Sequence, residues 1–363
     1  NALELKLIEA SKEFKEKPSV TIQMFDTHSE VIQTPDSKIS VQVEYIVSGD
    51  NPEAIQKIEQ LMRETLIVNS GNSFTISNNF FPTIIQESVG FKRYTYIKFN
   101  DGSKYKFTDY KFEVKNVKIC LPTSVDLKVD SKYGSIDILL PINGTVNLET
   151  YDLVLKGKTI TGNLTIDSKY SKYRFDKVDD VNLSIYESDF DVTEMGKCKI
   201  DSKYSNINAI KSGLLTYTGY EDKLSFQQIP DADIEAKYSH LRFENANTIK
   251  AILYEGSMTI KKNESCNVCG KYVQFQFGQI GSLNIVDGYE NHFEIEEITN
   301  LTSTNGKYSD YKIGNFLGSM VVNGYEESLQ IEKVSGSFST ISVDGKYLKT
   351  KLQLNKETNY RIK

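Results

Sequence analysis

Asp201-Ser202-Lys203-Tyr204-Ser205 is followed 17 residues after Lys203 by Tyr220-Glu221, and 17 residues after Tyr220 by Lys237-Tyr238. The first string returns along the chain. Asp130-Ser131-Lys132-Tyr133, Asp167-Ser168-Lys169-Tyr170, Asn305-Gly306-Lys307-Tyr308 and Asp344-Gly345-Lys346-Tyr347 repeat it, and Glu235-Ala236-Lys237-Tyr238 and Cys269-Gly270-Lys271-Tyr272 vary it. The second string returns between them as Tyr151-Asp152, Tyr186-Glu187, Tyr254-Glu255, Tyr289-Glu290 and Tyr325-Glu326. With the Lys of the first string aligned to the Tyr of the second, the steps from Lys132 to Lys346 are 19, 18, six of 17, three of 18 and one of 21. A fixed period of this kind is the signature of a repeat architecture. The unit is a coil of about 17 residues, and two alternating coil types make the full repeat.

Apolar residues keep the same phase. Taking the aligned Lys or Tyr as position zero, Leu164 and Ile166, or Cys198 and Ile200, lie five and three residues before it. Tyr173 and Phe175, or Leu241 and Phe243, lie four and six after it, and Val178, Ile229 and Ile280 nine after. Alternation with period two marks strands buried on one face. Short strands recurring once per coil in constant phase stack as parallel rungs around a continuous interior. Parallel connections are overwhelmingly right-handed, so the sequence predicts a mostly β fold, a right-handed parallel β-helix over residues 116–363. An antiparallel hairpin reading of the double repeat is the alternative. Residues 1–115 lack the period and read as an N-terminal capping region. It has strands near Val20–Phe25, Ile39–Ile46, Phe74–Ile76, Tyr94–Phe99 and Lys104–Phe107. Asn51-Pro52-Glu53 opens its one helix, about 52–65, with Ile55, Ile58, Leu61 and Met62 on one face.

Stacking turns equivalent positions into columns. One alternates Lys203, Tyr220, Lys237, Tyr254 and Lys271; its neighbour alternates Tyr204, Glu221, Tyr238, Glu255 and Tyr272. Each Lys is expected between aromatic rings, in cation–π contact, and diagonally near a Glu. These ten residues are either a structural ladder that fixes register or a ligand platform, since aromatic rows stack on sugars. The strict alternation favours the ladder.

Other chemistry is sparse. Cys266-Asn-Val-Cys269 is a lone CxxC without the second pair that metal sites use, and the chain has three histidines. Cys198 and Cys266 fall at inner positions and read as core thiols. They are four coils apart, too far for a disulfide, so all four cysteines, Cys120 included, are expected free. His240 and His292 share a solvated column three coils apart. Asp130, Asp167, Asp201 and Glu235 read as turn carboxylates, without the calcium-binding nonapeptide pattern. No catalytic, cofactor or metal site is expected. Net charge is −6 with the signs mixed, and arginine is scarce, which argues against nucleic acid as partner. No run approaches the roughly 18 apolar residues of a transmembrane helix. The chain starts at Asn1 without Met, so an export signal is expected to have been removed.

Val117-Lys-Ile-Cys-Leu-Pro122 and Val125-Asp-Leu-Lys-Val-Asp-Ser-Lys-Tyr-Gly-Ser-Ile136 resemble the adhesin family of cell-envelope β-helix proteins common in Bacteroidetes. Residues 12–78 are similar to that family's strand–helix N-terminal region. The resemblance implies export and a role in the periplasm or at the cell surface, and it brings no catalytic residues. The expected function is therefore non-enzymatic binding or scaffolding, with glycan or another envelope component as partner. A β-helical polysaccharide lyase or hydrolase is the alternative.

Overall fold

The computed structural model describes residues 3–78, 80, 82–356 and 361. The chain is 72% strand and 4% helix, a β-solenoid of about 13 turns spaced by about 18 residues. It divides into two compact units, Asn1–Asp179 and Asp180–Lys363.

In the second unit each coil supplies two inward-alternating strands. Cys198–Lys203 pairs in parallel with Leu215–Tyr220, setting Cys198 opposite Leu215 and Lys203 opposite Tyr220. Asn206–Lys211 pairs in parallel one rung on, with Ile207 opposite Leu224. Parallel pairing continues through Gln274–Val286, His292–Lys307, Asp310–Phe316, Ser319–Tyr325 and Ser328–Val334. The antiparallel alternative is thereby excluded for these coils. Inward positions carry the core. Phe275 and Phe293 stack face to face with centroids 4.4 Å apart, and Phe293 stacks on Tyr311 at 5.0 Å. Those separations are close to the spacing of adjacent strands, so stacking and backbone pairing reinforce one register.

The first unit holds a coil that the period did not reveal. Ser19–Gln23 and Phe25–Gln33 pair in parallel with Asp126–Ile138, placing Phe25 opposite Lys132 and Val20 opposite Leu127. Asp26 then occupies the corner, with φ +47°. Thr27 and Ser29 point inward and are buried, so polar residues break the apolar alternation there. Phe25-Asp26 replaces the Lys-Tyr signature, and the next coil in space begins some hundred residues later in sequence. The non-periodic segment is thus partly a rung, not only a cover. Ser73–Ser77 adds to the far side of Ser19–Gln23, with Phe74 opposite Val20.

Helix α1 spans Pro52–Thr65, and the Asn51 side chain accepts the Ala54 N–H at its start. Ala54, Ile58 and Met62 are its buried residues, whereas Ile55 and Leu61 are half-buried. The buried stripe is rotated from the one the apolar residues mark, since Ala54 is buried where Ile55 is only half-buried. Glu59 ties the helix down by accepting from Lys6 and Tyr45, both at 2.8 Å. Thr83–Val89, Lys92–Lys98 and Lys104–Phe107 form a separate antiparallel sheet.

The tyrosine ladder as candidate functional site

Each coil turns one corner at the residue after position zero. In every coil of the second unit this residue has positive φ without being glycine: Glu187, Tyr204, Glu221, Tyr238, Glu255, Tyr272, Glu290, Tyr308, Glu326 and Tyr347, at +43° to +61°. Left-handed backbone costs an L-residue roughly 1–2 kcal/mol, so the surroundings must hold it. The backbone shows how. The N–H of Tyr204 reaches forward to the Tyr220 carbonyl at 3.0 Å, and that of Asn206 reaches back to the Ser188 carbonyl at 3.0 Å. The N–H between them points inward, out of the ladder. A side chain of the next coil accepts it. Ser188 N–H donates to Ser205 Oγ (3.1 Å), Ser205 N–H to Asp222 Oδ1 (2.8 Å), and Asp222 N–H to Ser239 Oγ (3.1 Å). Asn291 and Ser309 repeat the arrangement. A buried amide without a partner is costly, which gives this inward polar column its role.

Outside the corner the rings meet. Tyr186, Tyr204, Tyr220, Tyr238, Tyr254, Tyr272, Tyr289, Tyr308, Tyr325 and Tyr347 form one continuous edge-to-face series, with centroids 5.4–5.8 Å apart and planes 74–87° from one another. In the first unit Phe25, Tyr133, Tyr151 and Tyr170 do the same at 5.2–5.9 Å. The two expected columns thus contribute alternate rings to a single stripe. Lysine is not sandwiched between rings: among the described residues, cation–π contact occurs at Lys104 over Tyr96 and Lys106 over Tyr94. Nor do ladder lysines pair with ladder glutamates; the ion pairs lie elsewhere, as in Lys128–Glu149 at 3.3 Å. Tyrosine chooses tyrosine because the left-handed corner swings its ring over the zero position of the next coil. Lys203, Lys237, Lys271, Glu221 and Glu255 stay exposed. Burial first and the neighbouring carboxylate second raise the phenol pKa of Tyr220 beside Glu221 and of Tyr289 beside Glu290. The Glu326 carboxylate does so for Tyr325.

The sequence reading missed two buried acids. Asp222 accepts from Tyr217 Oη at 2.7 Å, Ser202 Oγ at 3.0 Å and the N–H groups of Ser205 and Tyr220. Burial raises its pKa in spite of those donors. Glu327 stands in the equivalent place, one methylene longer. Its carboxyl faces Tyr311 Oη at 3.3 Å, its Oε2 has no partner, and burial pushes its pKa up to about 7. Glycine makes the room. A Cβ at Gly219 would collide with the Tyr217 hydroxyl, and one at Gly306 or Gly324 with the Glu327 carboxylate. These acids were legible only as departures from the Ser that follows Lys-Tyr in other coils.

The remaining candidates are dispersed. Cys120, Cys198 and Cys266 are buried free thiols and Cys269 is a half-buried one. His240 bonds Ser257 Oγ at 2.8 Å and His292 lies 3.2 Å from Glu294. Asp130, Asp167, Asp201 and Glu235 are exposed. No helix among the described residues is long and apolar enough to cross a membrane. Comparison with family models and with curated proteins finds no match for the chain. The β-solenoid implied by the adhesin resemblance is the part of that resemblance the structure bears out.

Proposed function

We propose that this protein is a non-enzymatic, adhesin-like binding scaffold outside the cytoplasm, and that its tyrosine stripe presents a repeating surface to glycan or another envelope component. The observation that carries the reading is the ladder itself. Its corner tyrosines keep 37–42% of their surface exposed at Tyr204, Tyr238, Tyr272 and Tyr308. Exposed lysines and carboxylates flank them at every second coil. Amphipathic rings of this kind offer apolar faces and polar tips together. The flanking groups of the ladder recur at a regular spacing down the solenoid, whereas acid–base catalysis needs groups gathered on one reacting centre.

One observation favours the enzymatic alternative. An open cleft of about 480 Å³ brings Lys271, Asp287, Tyr289, Lys307 and Tyr325 to one place. Glu327 does not open into it, since its carboxylate lies on the inward side of Gly306 and Gly324.

A glycan array probed with the intact protein tests the proposal. Binding that is lost in Tyr204→Ala and Tyr272→Ala variants that still fold is the expected result. Turnover of a polysaccharide, lost in Asp287→Asn, would replace the scaffold with the lyase or hydrolase.

A further inference from the structure

The ladder has a chemical property that neither register nor binding uses. Ten phenols of the second unit stand in unbroken succession, each within 5.8 Å of the next between centroids. The chain has no tryptophan. Its methionines Met24, Met62, Met195, Met258 and Met320 are all buried. Among the described residues, the most readily oxidised exposed aromatic groups are therefore the ladder tyrosines. Glu221, Glu290 and Glu326 directly follow Tyr220, Tyr289 and Tyr325 in the chain and are exposed, so each offers a nearby base, beside solvent water, for the proton that a phenol must release when it loses an electron. The rings alternate between a half-buried zero position beside a carboxylate and an exposed corner beside a lysine, so every step along the series is short and the same two-ring step recurs. At the far end Tyr347 is 72% exposed, the most open ring of the series.

The geometry points to the ladder as a relay for one-electron oxidation, which accepts an oxidising equivalent at any rung and delivers it to Tyr347. The co-reactant is a one-electron oxidant, such as a peroxidase-type centre or a photo-excited metal complex. The oxidant takes one electron from a ladder phenol, whose proton passes to the adjacent carboxylate or to water, leaving a phenoxyl radical. The next phenol returns one electron to that radical, each ring exchanging its own proton with the nearby carboxylate or with water, and becomes the radical in turn. At Tyr347 the net change is one phenol O–H proton released to solvent and one electron delivered to the oxidant.

Cys269 gives a native point of entry. Its thiol is the half-buried one of the four, and it lies in the coil of Tyr272. A ruthenium photo-oxidant attached there on the full chain, flashed in the presence of a nitroso spin trap, is expected to place trap adducts on Tyr347, located by peptide mass spectrometry. Tyr308→Phe keeps the ring but removes the oxidisable hydroxyl between Tyr289 and Tyr325. It should lower the Tyr347 adduct several-fold while leaving adducts at Tyr204 and Tyr238 unchanged. Tyr325→Phe should do the same, which guards against a fault peculiar to one variant. Equal Tyr347 adduct in the parent and both variants, or none in the parent, would overturn the relay.

Discussion

The hydroxyl of Tyr217 donates to the Asp222 carboxylate across 2.7 Å inside the solenoid, and the same carboxylate takes the Ser205 N–H of the preceding coil at 2.8 Å. One side chain thereby satisfies a buried phenol and a corner amide that strand pairing leaves out. Neighbouring coils use serine, whose hydroxyl accepts the amide and donates to the carbonyl two residues back, so the carboxylate–phenol contact sets Asp222 and Tyr217 apart as a matched pair.

That pairing sets the first expectation. Asp222→Ser keeps an acceptor near the corner but strands the Tyr217 hydroxyl, and should cost about 1–3 kcal/mol. Tyr217→Phe removes the stranded group, so Asp222→Ser should cost less in a Tyr217→Phe background. Denaturant unfolding of the four proteins in a double-mutant cycle measures the coupling. Strict additivity would mean that the two residues do not act together.

Glu327 makes stability depend on pH. Its carboxyl is pushed up to about 7 in the fold from an ordinary 4.5, so the folded state holds the proton more tightly than the unfolded chain. The stabilisation is complete below the unfolded pKa and is lost as pH rises through the folded one, an effect of about 3 kcal/mol between pH ~4.5 and ~7. Burial raises Asp222 too, with the same sign. Urea unfolding at pH 5 and pH 7.5 should show the parent losing more stability at the higher pH than Glu327→Gln does. Parallel pH profiles for the two proteins would contradict the assignment.

Thiol reactivity separates the cysteines. Burial pushes Cys198 and Cys266 up to about 12, and the thiolate is the reactive form. Iodoacetamide at pH 8 should label Cys269 first in the native protein and all four cysteines after denaturation. Rapid native labelling of Cys198 or Cys266 would mean that the interior is not packed as described.

The coil period, the inward alternation from Leu164 to Val334 and the tyrosine stripe were legible because each rung repeats one solution. Three things were not. Ser19–Gln33 hides because Thr27 and Ser29 fill inward sites and Phe25-Asp26 stands where Lys-Tyr would. Tyr–Tyr contact in place of Lys–Tyr follows from the left-handed corner, and tyrosine gives no sequence sign of positive φ as glycine does. Asp222 and Glu327 were not singled out, because nothing in an isolated Asp or Glu marks it as buried when charged residues are mostly exposed. Their inward direction depends on being two residues past position zero, beside glycines that leave space.

Edge-to-face contact between rings of successive coils holds the left-handed corners in register. Tyr238 touches Tyr220 at 5.4 Å and Tyr254 at 5.6 Å, at φ +55°. Loss of two edge-to-face contacts is worth about 1–3 kcal/mol. Among the described residues Tyr347 touches one ring, Tyr325, and its replacement should cost less. Tyr238→Gly should be milder than Tyr238→Ala by up to about 1 kcal/mol, because glycine accepts positive φ freely. The decisive measurement is the thermal unfolding of Tyr238→Ala beside the parent protein and Tyr238→Gly. The expected order of stability is parent, then Tyr238→Gly, then Tyr238→Ala, whereas a Tyr238→Ala melt coinciding with the parent would contradict the structural ladder.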